Sequence, residues 1–104
     1  MSEPKIISFN TIDFPSEAHL QVHLSNIEKR YEELFGKMKQ YGLLRATVSQ
    51  VFNKDGANRV TWHLEYRDEA AMEKCRSLLD SNAQGKEQKV VANRGVVIFD
   101  WSAK

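Results

Sequence analysis

Seven apolar residues, Leu20, Leu24, Ile27, Tyr31, Leu34, Met38 and Tyr41, recur at alternating steps of four and three. That spacing draws an apolar stripe down one side of a helix, and the stripe requires a surface to bury it. Glu28, Lys29, Arg30, Glu32, Glu33, Lys37 and Lys39 form the solvated side. Ser16 is placed to cap the helix and Glu17 lies at its positive dipole end, while His19 stands where a capping box takes Glu or Gln. Gly42 is a natural stop. Gly36, about 1 kcal/mol worse than alanine inside a helix, marks a bend in its C-terminal third. The pattern ends at Gly42, too soon for a coiled coil, so the expectation is one helix lying on a sheet.

The sheet is legible on either side. Ile6, Ile7, Phe9 and Ile12 form a first strand that stops at Asp13-Phe14-Pro15-Ser16, where proline removes a donor and keeps Phe14 extended. After the helix, Leu44, Ala46, Val48 and Phe52 alternate with Arg45, Thr47 and Ser49; Gln50 is the exception on the apolar side. Asn53-Lys54-Asp55-Gly56-Ala57-Asn58 contains the Asp-Gly of a hairpin turn. The return strand puts Val60, Trp62, Leu64 and Tyr66 on one face and Thr61, His63, Glu65 and Arg67 on the other. Asp68 opens a second helix carrying Ala71, Met72, Cys75, Leu78 and Leu79, which Ser81-Asn82 and Gly85 end. The stretch from Asn82 to Lys89 reads as a loop. A last extended region runs from Lys89 to Trp101, interrupted at Asn93-Arg94-Gly95, and is either one bulged strand or a hairpin of two. The order is βαββαβ: an α+β, ferredoxin-like antiparallel sheet with two helices on one face, in one domain over residues 1–104.

Composition narrows the partners. Fifteen Lys and Arg against fourteen Asp and Glu leave a formal charge of +1, so net charge steers the chain toward neither nucleic acid nor an anionic membrane. No apolar run approaches the roughly 18 residues of a membrane span, and Met1 to Lys5 leads into a strand rather than a signal-peptide apolar region. The single cysteine, Cys75, forms no internal disulfide and reads as a core thiol, which fits a cytoplasmic location. His19 and His23 stand four apart but lack the carboxylate of an HExxH motif and any third ligand, so they read as surface histidines, with no metal or cofactor called for. Trp62, Tyr66, Phe52 and Trp101 read as core aromatics. Phosphate loops, nucleophile elbows and base-stacking strand motifs are absent from the sequence.

One segment does not suit a monomer. Val96-Val97-Ile98-Phe99 and Trp101 are apolar on both faces, and at about 25 cal/mol per Å² their exposure forfeits several kcal/mol. The simplest cover is a second copy packed sheet to sheet about a two-fold axis. The alternative is that residues 89–104 curl over their own sheet.

The junction Tyr66-Arg67-Asp68-Glu69-Ala70-Ala71-Met72 and the element order resemble the dimeric α+β barrel superfamily, which includes antibiotic-biosynthesis-type monooxygenases. Such families usually carry tryptophan where this chain has Tyr66, and often glutamate where it has Leu64. The resemblance implies a homodimer joined through its sheet face, and a cofactor-independent monooxygenase or isomerase acting on a small aromatic compound.

The residues opposite the helix-covered face would line the cavity of such a barrel: Arg45, Thr47 and Ser49 on one strand, Thr61, His63, Glu65 and Arg67 on the next. His63 is the central candidate, because histidine exists in both protonation states near neutral pH. In an enzyme, His63 would accept a proton or donate a hydrogen bond, Glu65 would orient it, and Arg45 would meet an anionic group, with Thr47, Ser49, Thr61 and Arg67 contacting the ligand. If the face is not a site, it is a solvated polar surface on which Glu65 pairs with Arg45 or Arg67; in the alternative function, a non-enzymatic dimeric module, the same face serves association and its polar residues only set register.

Overall fold

The structure, a computed structural model, describes residues 6–25, 27–81 and 89–103. Its elements are β1 (Ile6–Asp13), α1 (Glu17–Ser25), α2 (Ile27–Lys39), β2 (Leu43–Gln50), β3 (Arg59–Tyr66), α3 (Glu69–Ser81) and β4 (Lys89–Val96). The four strands form one antiparallel sheet in the order β2-β3-β1-β4. This is the expected ferredoxin-like fold, with the helix expected from Leu20 to Tyr41 described as α1 and α2 on either side of residue 26, which lies outside the described residues. In the last turn of α1 the Ser25 hydroxyl donates to the Val22 carbonyl at 2.7 Å. Gly36 lies within α2, which runs on to Lys39. The expected loop from Asn82 and the helix stop at Gly85 lie outside the described residues.

Burial follows the stripe. Leu20, Tyr31, Leu34 and Met38 pack with Ala71, Met72 and Cys75 of α3 on Leu43, Val60, Trp62, Leu64, Tyr66 and Ile12 of the sheet; Leu24 and Ile27 sit at the margin. Tyr41, in the turn after α2, is exposed. Cys75 is fully buried, its thiol donates to the Met38 carbonyl at 3.5 Å, and burial pushes its pKa up.

Local chemistry explains the boundaries. The His19 backbone N–H donates to Ser16 Oγ at 3.2 Å, and the His19 ring Nδ1 lies 2.6 Å from the same oxygen, so histidine bonds the cap hydroxyl rather than the backbone N–H that a capping-box Glu or Gln takes. The Ala71 N–H donates to the Asp68 carboxylate at 2.8 Å and caps α3. Gly42 has φ +114°, and a Cβ there would stand 2.5 Å from the Ala71 Cβ. Only glycine permits both that backbone and so close an approach of α3.

Three strand expectations are corrected. A β-bulge between Leu43 and Arg45 places Leu43, not Leu44, in the core. Phe52 lies past the end of β2 and is 94% exposed. Asn93-Arg94-Gly95 does not interrupt the last strand: β4 stays in register with β1 throughout and stops at Val96, four residues before Asp100.

Candidate functional site

Register determines what meets on the sheet face that no helix covers. Strand alternation sends Val60, Trp62, Leu64 and Tyr66 toward the helices and turns Arg59, Thr61, His63 and Glu65 to the open side. Their cross-strand partners build rows. Thr47, His63, Phe9 and Asn93 form the central one; Ser49, Thr61, Thr11 and Val91 flank it on one side, and Arg45, Glu65, Ile7 and Gly95 on the other.

In the central row the Phe9 ring stands edge-on to the His63 imidazole, with centroids 6.1 Å apart and planes at 82°. Both residues are exposed, and Phe9 retains 46% of its surface. Gly95 lies in the adjoining row, where a Cβ would only touch the Phe9 ring at 3.5 Å. Glu65 pairs with Arg45 across the strands at 3.9 Å, with the arginine largely in solvent, a weak exposed contact. Asp13 and Arg59 pair at 2.6 Å at the far end of the same face.

Six of the seven residues expected at the site thus share one face: Arg45, Thr47, Ser49, Thr61, His63 and Glu65. Arg67 does not join them. It lies past the end of β3, its guanidinium 3.4 Å from the Asp68 carboxylate and beside Gly42. Sequence reasoning missed Phe9, Thr11, Asn93 and Val91, because their place depends on the pairing of β1 with β3 and β4. The available signal was the odd-numbered position of Phe9 beside Ile7 on an apolar first strand.

The remaining candidates lie elsewhere. Of the four aromatics expected in the core, Trp62 and Tyr66 are there, whereas Phe52 and Trp101 are exposed. His23 is half-buried on the helix side, where it hydrogen-bonds the Tyr31 hydroxyl and packs against Phe14 with centroids 4.9 Å apart. Burial, aided by the Arg30 charge, lowers the His23 pKa; burial pushes the Tyr31 phenol up to about 12, against the pull of Arg30. A protonated phenol and a neutral imidazole can each donate or accept in this bond, the direction being set by the His23 tautomer. Among the described residues, no group of three or more His, Cys, Asp or Glu could hold a metal ion. Among them, too, no helix is long and apolar enough to cross a membrane.

The sheet order and the helix-covered face define a ferredoxin-like α+β protein whose second sheet face no described helix covers. The chain belongs to the family Domain of unknown function (DUF6974), whose model matches residues 3–97. A dimeric ferredoxin-like protein from an uncultured marine organism is 27% identical, covering 95% of this chain and 100% of its own, with a TM-score of 0.83. A second dimeric ferredoxin-like protein, also from an uncultured marine organism, is 25% identical over 95% of this chain and 99% of its own, again at 0.83. A Bacillus cereus protein of antibiotic-biosynthesis monooxygenase type is 13% identical over 97% of this chain and 100% of its own, with a TM-score of 0.64, a likeness of fold alone. No curated protein matches the chain.

Proposed function

We propose that the protein is a homodimer whose two open sheet faces enclose a site for a small aromatic compound bearing a polar or anionic group. The observation that carries this reading is the central row, where an imidazole and a phenyl ring meet on an uncovered face between Thr47 and Asn93. Phe9 offers an apolar wall, His63 a donor or acceptor, and the threonines and Ser49 hydroxyls that take either role. Arg45, held loosely by Glu65, is free to meet a carboxylate or phenolate.

The dimer draws support from the two relatives of 27% and 25% identity, both dimeric ferredoxin-like proteins. Enclosure between two sheets would exclude water and strengthen each polar contact. His63 would then take a proton from a phenolic or enolisable ligand, the step that a cofactor-independent oxygenase or an isomerase needs first. Here Glu65 acts through Arg45, the partner the structure gives it. We place the protein in the cytoplasm, where the buried thiol of Cys75 stays reduced.

A thermal-shift screen with small phenols and aromatic carboxylates tests the reading. An upward shift in the wild type that disappears in His63→Ala is the expected result. The absence of any shift, or an equal shift in the variant, favours a dimeric module whose polar face only sets the register of association.

A further inference from the structure

The segment after β4 is the least buried apolar stretch of the protein. Ile98 is 97% exposed, Phe99 81% and Trp101 74%, so residues 97–103 do not curl over their own sheet, as the monomeric alternative required. Among the described residues β4 pairs with β1 alone, and every β4 residue except Gly95 is exposed. This apolar segment therefore continues from an edge strand of the open sheet face.

Their geometry is related through strand parity. Lys89, Val91, Asn93 and Gly95 are the β4 residues that share the open face with Asp13, Thr11, Phe9 and Ile7. An extended continuation carries the same parity to Val97, Phe99 and Trp101. Among the described residues pairing ends at Val96 opposite Ile6, and residues 97–103 belong to no strand. Five extended residues reach about 16 Å, more than the roughly 10 Å between packed sheets. The chain is long enough to cross to a sheet facing it.

We infer that residues 97–101 of each copy lie across the open face of the other, so that Phe99 and Trp101 complete the His63 site of the partner. This rests on the homodimer reading and deepens it: the site is composite, and a lone chain holds only its floor. A second copy is the occupant because the relatives of 27% and 25% identity are dimeric, and they align over 95% of this chain. Two broad aromatic side chains over Phe9 and His63 would make a flat apolar slot, which suits a planar aromatic ligand with its polar group directed toward Arg45.

Photocrosslinking tests this on the full chain. Trp101 is replaced by the photoreactive p-benzoylphenylalanine, and the variant is first checked by sedimentation. The expected outcome is a dimer that yields, on irradiation, a covalent two-chain product whose adduct maps to peptides bearing Phe9, Thr47 or His63. A dimer that gives only an intrachain adduct, an adduct elsewhere, or none overturns the inference and leaves the dimer standing. If wild type and variant both sediment as monomers, the dimer reading itself falls, and the inference with it.

Discussion

The imidazole of His63 and the ring of Phe9 meet edge to face, 6.1 Å between centroids, on a sheet surface that the helices leave bare. They lie on different strands and are joined by register, since Phe9 is the direct cross-strand partner of His63. Because both are exposed in the single chain, their packing contributes little to the fold of the chain itself. His63→Ala should change the unfolding free energy by less than about 1 kcal/mol while removing any thermal shift produced by an aromatic ligand. Urea denaturation together with ligand titration checks both parts.

Gly42→Ala should be strongly destabilising. The substitution forces alanine into φ +114° and sets its Cβ 2.5 Å from the Ala71 Cβ. A loss of about 2 kcal/mol or more is expected in urea denaturation. Pairing it with Ala71→Gly should relieve the contact but not the backbone strain, recovering only part of the loss.

Met38→Ala removes a fully buried side chain at the point where α2, α3 and the sheet meet. The transfer and cavity terms together give an expected loss of about 2–5 kcal/mol by chemical denaturation.

His23 makes stability depend on pH. Its folded-state pKa lies below the ordinary 6.5 through burial and then the Arg30 charge, so the unfolded chain binds more protons between the two values. This contribution is complete above pH 6.5 and is lost as pH falls through the folded-state pKa. Urea midpoints measured downward from neutral pH should decline more steeply for the wild type than for His23→Gln, which keeps a hydrogen-bond partner for Tyr31.

Much of the fold could be read from the chain because its signals are local. The stripe from Leu20 to Met38, the Asp55-Gly56 turn and the alternation from Val60 to Tyr66 are each carried by one short continuous stretch of chain, and each appears where expected. What escaped depends on pairing between distant segments. Nothing local shows that a bulge exchanges Leu44 for Leu43, or that β4 stays in register through Asn93, Arg94 and Gly95. The same holds for the site. Arg45, Thr47, Ser49, Thr61, His63 and Glu65 share a face by simple alternation on one hairpin, whereas Phe9 and Asn93 join them only through the β1 pairings. Arg67 failed for a related reason: alternation ends with the strand, and the residue after it follows the α3 cap instead.

Association through the open face is most directly tested by sedimentation velocity on the wild type and on Phe9→Arg, a change the exposed ring position accommodates in a single chain. The expected result is a wild type at twice the 12.0 kDa chain mass at micromolar concentration and a variant at the single-chain mass. A monomeric wild type, or a dimer indifferent to an arginine beside His63, would contradict it.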